Sequence, residues 1–208
     1  MRAADSATSD LIAALRRDRL VPVIRTGSAA ELRKRVSLCR EAGLTVIELT
    51  TTTPGWDDVL AESAADPEFG DVLIGVGTVT TIEQAVQALA CGAAFLVAPY
   101  SVPNVRAAVR DRTALVEAGF TPGELSLLAG VARLVKLFPA ASVGVDHLRA
   151  VRDVMPGLEI MPTGGIGVAD AAEWIGAGAI AVGMGSNLFE LSSAEIRALR
   201  DRLRQAAL

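Results

Sequence analysis

Two apolar runs, VLIGVGT at Val72–Thr78 and AIAVGMGS at Ala179–Ser186, decide the fold class of this chain. Both runs are apolar at odd and even positions alike, which is typical of a parallel strand covered by helices on one face and by a packed core on the other. Six more apolar runs alternate with segments of helical periodicity, giving eight β/α units in about 190 residues. This spacing predicts an α/β protein, a (β/α)₈ TIM barrel with a short N-terminal helix. The predicted strands are Leu20–Arg25, Thr45–Thr51, Val72–Thr78, Phe95–Pro99, Thr113–Gly119, Arg133–Pro139, Glu159–Gly165 and Ala179–Ser186.

No Pro/Ser-rich linker or low-complexity tract interrupts the alternation, so we expect one barrel domain over residues 1–208. The rival architecture is an open doubly wound sheet, which carries G-x-G-x-x-G after its first strand. In this chain TGSAAE stands at that place, and the barrel is therefore favoured. The predicted helices lie near 8–18, 29–42, 56–64, 81–91, 102–110, 121–130, 145–155, 168–176 and 193–206.

The composition narrows the function classes. The 208 residues are 51% hydrophobic with a formal net charge of −4, which indicates a large core and argues against a nucleic-acid partner. The first ten residues lack the apolar core of a signal peptide, and no apolar run is long enough for a membrane span, so we expect a cytoplasmic protein without a membrane partner. Cys39 and Cys91 are expected to be buried, reduced thiols, although a disulfide between them stays open.

The basic residues are very unequal: 18 of the 20 are arginine, and the two lysines are Lys34 and Lys136. The chain has a single histidine, His147. A mechanism that needs a histidine pair, a Cys–His pair or a histidine-based metal site is therefore disfavoured. A mechanism that needs a lysine has only two choices.

Lys136 lies in the middle of the sixth predicted strand, RLVKLFP. Strand alternation puts Leu134, Lys136 and Phe138 on one face, which we predict to line the barrel interior. Burial disfavours the ammonium, and a neutral amine can attack a ketone to form a Schiff base, an electron sink for carbon–carbon cleavage. The structural alternative is a lysine that extends to water or pairs with a carboxylate. In a chain that otherwise uses arginine, a lysine among apolar residues favours the functional interpretation.

Glu48 occupies the middle of the second predicted strand, TVIELTT, with Val46 and Thr50 as its expected inward neighbours. A carboxylate inside the same barrel as Lys136 can shuttle protons during imine formation and cleavage. The structural alternative is a buried ion pair with Lys136 or Arg25, and such a pair is not by itself evidence of catalysis.

The seventh and eighth predicted strands end in glycine-rich loops, PTGGIG at Pro162–Gly167 and GMGSNLF at Gly183–Phe189. Backbone N–H groups of such loops can approach an anion, and the loops after strands seven and eight are the recurrent phosphate site of the barrel fold. Tight turns whose glycines only supply a positive φ are the structural alternative. The candidate glycines are Gly164, Gly165 and Gly185.

Two polar side chains close other predicted strands. Thr78 ends GVGT, where its hydroxyl can hold a substrate carboxylate or cap the next helix, and both interpretations stay open. Arg25 closes the first strand, and its planar fork can bind a carboxylate or phosphate or form a surface pair of little energetic value.

Seven motifs in order carry a resemblance: VPVIR, VIELTTTTP, GVGTV, FLVAP, VKLFPA, PTGGI and VGMGSNLF. With these motifs the chain, from about Leu11 to Phe189, resembles the 2-keto-3-deoxy-6-phosphogluconate aldolases, including those that also cleave 4-hydroxy-2-oxoglutarate. The resemblance implies a (β/α)₈ barrel, a homotrimer and a class I aldolase that uses no cofactor and no metal.

The resemblance also implies a role for each matching position. Lys136 would be the Schiff-base lysine, Glu48 the proton shuttle, and Thr78 a neighbour of the pyruvate carboxylate. The implied phosphate-binding residues are Gly164, Gly165 and Ser186, and the implied pocket-lining residues are Thr163 and Phe138.

The chain departs from the family pattern around the mouth of the expected pocket. Many members carry an arginine at the position of Thr52, whereas others have threonine there and an arginine like Arg25; this chain fits the second group. A carboxylate at Glu117 could repel an anionic substrate if it faces the pocket. The departures are Thr52, Ala98, Glu117, Ala118 and Ala141.

The resulting hypothesis is cleavage of a 2-keto-3-deoxy sugar acid, a small keto acid, to pyruvate and an aldehyde; the expected products are pyruvate and glyceraldehyde 3-phosphate. The phosphogalactonate epimer and 4-hydroxy-2-oxoglutarate stay open as substrates. Two other classes also stay open. One is a metal-dependent or isomerising barrel acting on a sugar phosphate through carboxylate ligands. The other is a barrel that binds an anion without turnover.

Overall fold

The computed structural model describes residues 3–207, which form an α/β fold whose paired strands all run parallel. Outside the described residues lie the two ends of the predicted domain 1–208, which are Met1, Arg2 and Leu208. Met1 and Arg2 are also the first two of the ten residues that lack the apolar core of a signal peptide. The strands are β1 Leu20–Ile24, β2 Val46–Thr50, β3 Leu73–Gly77, β4 Phe95–Val97, β5 Ala114–Val116, β6 Ala118–Gly119, β7 Leu134–Leu137, β8 Glu159–Pro162 and β9 Val182–Met184.

Helices alternate with the strands, as the sequence predicts. The first helix starts at Ala3 rather than near residue 8, because the preceding alanine-rich segment has high helix propensity. The helices are α1 Ala3–Asp18, α2 Ala29–Glu41, α3 Trp56–Ala65, α4 Ile82–Ala90, α5 Pro103–Val109, α6 Pro122–Ala129, α7 Gly144–Val154, α8 Ala171–Gly176 and α9 Ser193–Gln205. Short 3-10 turns follow α3, β7 and β9, at Pro67–Phe69, Ala140–Ser142 and Ser186–Glu190.

The strands pair in two groups. One sheet has the order β5-β4-β3-β2-β1-β9 and the other has the order β6-β7-β8. An isolated parallel bridge between Thr163 and Gly183 links the end of β8 to β9. The carboxyl ends of the strands therefore lie along one edge, where the predicted site residues stand.

The structure corrects the strand boundaries. The fifth predicted strand, Thr113–Gly119, is split at Glu117 into β5 and β6, because the chain changes its pairing partner there from β4 to β7. The runs predicted to end at Pro99, Pro139, Gly165 and Ser186 end two to three residues earlier. Their last residues lie outside the strands, in loops or, for Ser186, at the start of a 3-10 turn.

Two buried layers match the predicted alternation of the strands. Val135 and Leu137 of β7 pack in the outer layer with the helices, whereas Leu134 packs in an inner cluster. Leu11 and Leu15 of α1 join that inner cluster, so α1 covers the edge of the sheets opposite to the predicted site. The inner cluster also contains Val21, Val46, Phe95, Val97, Ala114, Val116 and Met161.

Both cysteines are free thiols. Cys39 is buried in α2, where burial raises the pKa of its thiol to about 12. Cys91, just after α4, is only partly buried, so the expectation of two buried thiols is wrong for this residue. Within residues 3–207, no helix has both the length and the apolar character needed to cross a bilayer.

Candidate active site

Lys136 lies in β7, and its side chain is on the inner face of the sheet, the same face as Leu134. Its side chain is 6% exposed, and its Nζ atom lies 5.4 Å from the centroid of the Phe138 ring. An ammonium gains some attraction from the face of such a ring, but most of its hydration is lost at this burial. The expected clustering of Leu134, Lys136 and Phe138 on one face agrees with this arrangement. Of the two structural alternatives, a lysine that extends to water does not fit this arrangement, whereas pairing with a carboxylate is observed.

Glu48 faces Lys136 from β2. Its Oε1 atom lies 3.5 Å from Lys136 Nζ, and its side chain is 1% exposed. The ion-pair partner is Lys136 and not Arg25. The second carboxylate oxygen, Oε2, is buried and has no hydrogen-bond partner among the described residues. Buried polar atoms almost always have a hydrogen-bond partner, so an unpartnered oxygen at this place calls for an explanation. A bound molecule that donates a proton or a hydrogen bond to Oε2 would provide one.

Gly77, at the end of β3, makes room for the Glu48 carboxylate. A Cβ atom built on Gly77 would overlap with Glu48 Oε1. Gly183 on β9 has the same relation to the Thr163 hydroxyl. The sequence interpretation missed both glycines, although GVGT and VGMGS show them at inward positions two residues apart from other glycines. Their role is close approach across the strands, since neither has a positive φ.

We expect Gly77→Ala to lower kcat of any reaction that uses the Glu48 carboxylate by about 10²-fold, because the added methyl group displaces this carboxylate by roughly an ångström. Gly157→Ala is the matched control, since nothing lies within 4 Å of a Cβ built there. Steady-state kinetics and thermal unfolding of both variants check this. If Gly77→Ala unfolds like the wild type and retains full kcat, the carboxylate position does not govern the reaction.

Thr78 adopts a left-handed backbone conformation, with φ of 62°. Such a conformation costs a non-glycine residue about 1–3 kcal/mol and is typical of functional sites. Thr51 Oγ1 donates a 2.9 Å hydrogen bond to the Thr78 carbonyl, and Arg25 Nη2 lies 3.3 Å from Thr78 Oγ1. The helix-capping alternative for Thr78 is wrong, because the cap of α4 is Thr81, in a capping box with Gln84.

The two glycine-rich loops differ in backbone conformation. Gly164 and Gly165 have φ of +98° and +78°, so the tight-turn explanation accounts for these two glycines. Gly185 has φ of −94°, so a positive φ does not explain the glycine at this position. Within the first of these loops, Thr163 Oγ1 is buried and has no hydrogen-bond partner within the part of the chain that the structure describes. A second unsatisfied polar atom thus faces the same region as Glu48 Oε2.

All ten predicted site residues line one cavity of about 280 Å³ at the carboxyl ends of the strands. Its lining includes one buried charged pair, one exposed arginine and glycines of both glycine-rich loops. Four further lining residues were not predicted; Asn187 directly follows the predicted Ser186, but the other three carry no chemical signal in the sequence. The predicted residues are Arg25, Glu48, Thr78, Lys136, Phe138, Thr163, Gly164, Gly165, Gly185 and Ser186, and the additional ones are Val23, Pro99, Ile166 and Asn187.

The departures from the family pattern lie outside this cavity. Glu117 is turned away from it and binds Arg106, so the repulsion of an anionic substrate considered for Glu117 does not arise. Ala98 and Ala118 are buried, and Thr52 donates to Thr50 Oγ1 over 3.3 Å. The remaining position, Ala141, limits the Gly165 loop: a Cβ on that glycine would lie 2.7 Å from the Ala141 Cβ.

A second cavity, of about 650 Å³, lies between α1, α5 and β5 and contains none of the predicted site residues. Residues 3–207 contain no group of three or more His, Cys, Asp or Glu side chains placed to hold a metal ion. The convergence of a buried amine and a buried carboxylate is confined to the smaller cavity.

Comparison with known proteins gives consistent matches. Residues 11–201 match the model of the family described as KDPG and KHG aldolase. A 2-dehydro-3-deoxy-phosphogluconate aldolase of Haemophilus influenzae is 34% identical over 177 residues, covering 81% of this chain and 80% of that protein. A 2-dehydro-3-deoxy-6-phosphogalactonate aldolase of Escherichia coli is 29% identical, covering 82% of this chain and 84% of that protein.

A crystal structure of the KDPG aldolase from Legionella pneumophila superposes with a TM-score of 0.77 at 25% identity, covering 95% of this chain and 98% of that one. In that protein pyruvate is captured as a covalent carbinolamine intermediate. The match of the family model, over residues 11–201, includes every residue that lines the smaller cavity.

Proposed function

Because the chain belongs to the KDPG and KHG aldolase family, and is therefore a carbon–carbon lyase, we propose that it cleaves a 2-keto-3-deoxy sugar acid to pyruvate and an aldehyde through a Schiff base on Lys136. The observation that carries the proposal is the buried pair of Lys136 and Glu48, 3.5 Å apart, with Glu48 Oε2 unsatisfied. The pair supplies a nucleophile and a proton carrier within one cavity.

In the first stage, the neutral amine of Lys136 attacks the C2 carbonyl carbon, and the carbonyl oxygen takes up a proton to give a carbinolamine. Loss of that hydroxyl as water leaves a protonated imine. Glu48, directly or through a water molecule, carries the protons between nitrogen and oxygen in these steps. The carbinolamine captured in the Legionella relative supports this stage.

In the second stage, the carboxylate of Glu48 accepts the proton of the C4 hydroxyl. The C3–C4 bond breaks, its electron pair moves into the imine to give an enamine, and C4 leaves as an aldehyde. Protonation of C3 by Glu48 and hydrolysis of the imine then release pyruvate and restore the amine. The two oxygens of one carboxylate suit this task, because Oε1 faces the nitrogen while Oε2 has no hydrogen-bond partner among the described residues.

The remaining lining residues are proposed to hold the two anionic ends of the substrate. Thr78 binds the keto-acid carboxylate, and Arg25 lies beside it. The backbone of Gly164, Gly165 and Gly185, with the Ser186 hydroxyl, binds the terminal phosphate. Phe138 and Thr163 line the wall between the two ends. Cavity residues of this kind suit 2-keto-3-deoxy-6-phosphogluconate, giving pyruvate and glyceraldehyde 3-phosphate.

The proposal extends to the assembly. Pairing of β6 with β7 and the bridge between Thr163 and Gly183 support eight strands that close into a (β/α)₈ barrel forming one domain over 1–208. We propose that the protein is a cytoplasmic homotrimer. Light scattering of the purified protein tests the trimer.

The experiment that tests the function is the rate of pyruvate release from four acids: 2-keto-3-deoxy-6-phosphogluconate, its galacto epimer, the unphosphorylated acid and 4-hydroxy-2-oxoglutarate. We expect the two phosphorylated epimers to be cleaved faster than the unphosphorylated acid, since both supply a carboxylate and a phosphate. Of the two we expect 2-keto-3-deoxy-6-phosphogluconate to be cleaved faster, in line with the activity named for the 34% identical relative. Fastest cleavage of another acid replaces the substrate within the same mechanism. Failure to release pyruvate from any of them contradicts the aldolase proposal and favours a barrel that binds without turnover.

We expect Ser186→Ala to lower kcat/KM for the phosphorylated acid by about tenfold or more, since a hydrogen bond to a charged group contributes about 1.5–3 kcal/mol. Cleavage of the unphosphorylated acid provides the internal control and is expected to stay within twofold of wild type, because its terminal group carries no charge. Equal losses on both acids would place Ser186 away from the phosphate.

A further inference from the structure

Glu117 lies at the point where the chain passes from β5 to β6. Its side chain is 2% exposed, and its carboxylate is turned outward to the start of α5. The Val102 N–H donates to Oε1 over 2.6 Å, and Arg106 donates from Nε to Oε2 and from Nη2 to Oε1. Ser101 Oγ lies 3.3 Å from the same Oε1. These contacts raise the pKa of the Arg106 guanidinium above its usual range.

The contacts of Glu117 join two parts of the candidate active site. Its side chain is hydrogen-bonded to Ser101 and Val102 in the loop after β4. Pro99, earlier in the same loop, lines the smaller cavity together with Lys136. Its backbone carbonyl accepts a 2.9 Å hydrogen bond from the N–H of Lys136. One residue thus connects the cavity wall after β4 to the strand that carries the amine.

Burial of this carboxylate is costly and is met by several donors rather than by one. A buried ion pair contributes little net stability compared with apolar residues of similar volume, so stability alone gives weak reason for it. A paired carboxylate that accepts four hydrogen bonds does, however, fix the direction of its partners. The residues whose direction it fixes are those of the loop that carries Pro99.

We propose that Glu117 is a positioning residue, which with Arg106 fixes the Pro99–Val102 loop and thereby holds Pro99 against the part of the substrate beyond the imine carbon. This inference rests on the proposed aldolase function. It predicts that loosening the loop weakens binding of the long substrate, whereas pyruvate, which needs only the amine and its near neighbours, reacts as before.

The test compares Glu117→Gln with wild type in two assays: steady-state cleavage of the best acid of the panel, and borohydride labelling of Lys136 in the presence of pyruvate. Glutamine keeps the side-chain volume and an acceptor for Val102 but removes the ion pair. We expect KM for cleavage to rise about tenfold and labelling to stay within twofold. Arg106→Lys, which keeps the charge but loses the planar fork, is expected to shift KM in the same direction and covers the case in which Glu117→Gln does not fold.

Glu62→Gln is the matched control, because it removes one charge of the exposed ion pair between Arg33 and Glu62 and leaves the loop intact. If Glu117→Gln and Arg106→Lys both show a lower unfolding temperature with an unchanged KM, the Arg106–Glu117 ion pair only stabilises the fold and the proposal is overturned. Equal loss of cleavage and labelling would also overturn it, because the effect would then act on Lys136. Failure of wild type itself to be labelled would contradict the proposed function, and this inference would fall with it.

Discussion

Substitution of Lys136 by methionine is expected to abolish labelling by pyruvate and borohydride and to lower the rate of cleavage by at least about 10⁴-fold. Methionine retains the length and apolar stem of the side chain but has no amine. The chain contains only one other lysine, Lys34, which lies exposed on α2. Peptide mapping therefore has two lysine positions to distinguish.

Lys34→Arg is the control for this experiment. It leaves Lys136 as the only lysine side chain, and we expect full labelling at Lys136 with unchanged kinetics. Arginine at position 136 is a second informative variant, since it keeps a positive charge beside Glu48 but does not deprotonate and so forms no Schiff base. Label on Lys34 alone, or activity retained in Lys136→Met, would overturn the mechanism.

The inward positions of Lys136 and Glu48 could be predicted because a strand alternates its faces with a period of two. Once Leu134 is recognised as a core residue, Lys136 must share its face, and the structure shows the same relation. The two glycine-rich loops that line the cavity could be located for a similar reason, since their place follows from strand order alone. These features depend on local sequence and on the number of strands.

Other features depend on distances between strands that no single segment encodes. Glu48 is the register partner of Gly75, so its carboxylate reaches the Cβ position of Gly77, two residues along β3. The outward turn of Glu117 depends on a donor from α5, a different element. Likewise the conformation of Thr78 is supported by Thr51, from the loop after β2. Sequence periodicity predicts a residue's face but not its partner across the sheet.

Glu48→Gln is expected to separate the steps of the proposed reaction. Loss of the carboxylate removes the group that accepts the C4 hydroxyl proton and protonates C3, and general acid–base catalysis of this kind contributes about 10²–10⁴-fold. We therefore expect cleavage, and exchange of the pyruvate methyl protons with deuterated solvent, to fall by that factor. Exchange is followed by proton NMR, which needs only pyruvate and isolates the enamine step.

Labelling of Lys136 by pyruvate and borohydride is expected to persist in Glu48→Gln. The amine keeps its place in the cavity, and a water molecule can carry protons between nitrogen and oxygen during imine formation, whereas accepting the C4 hydroxyl proton and protonating C3 need the carboxyl group. The variant is therefore expected to form the imine more slowly than wild type and to fail in the proton transfers at carbon and at the C4 hydroxyl that follow. Glu62→Gln again controls for the loss of one negative charge at an exposed site. Wild-type exchange in Glu48→Gln would show that water or the substrate carries the proton, whereas loss of labelling together with exchange would show that imine formation itself requires the carboxylate.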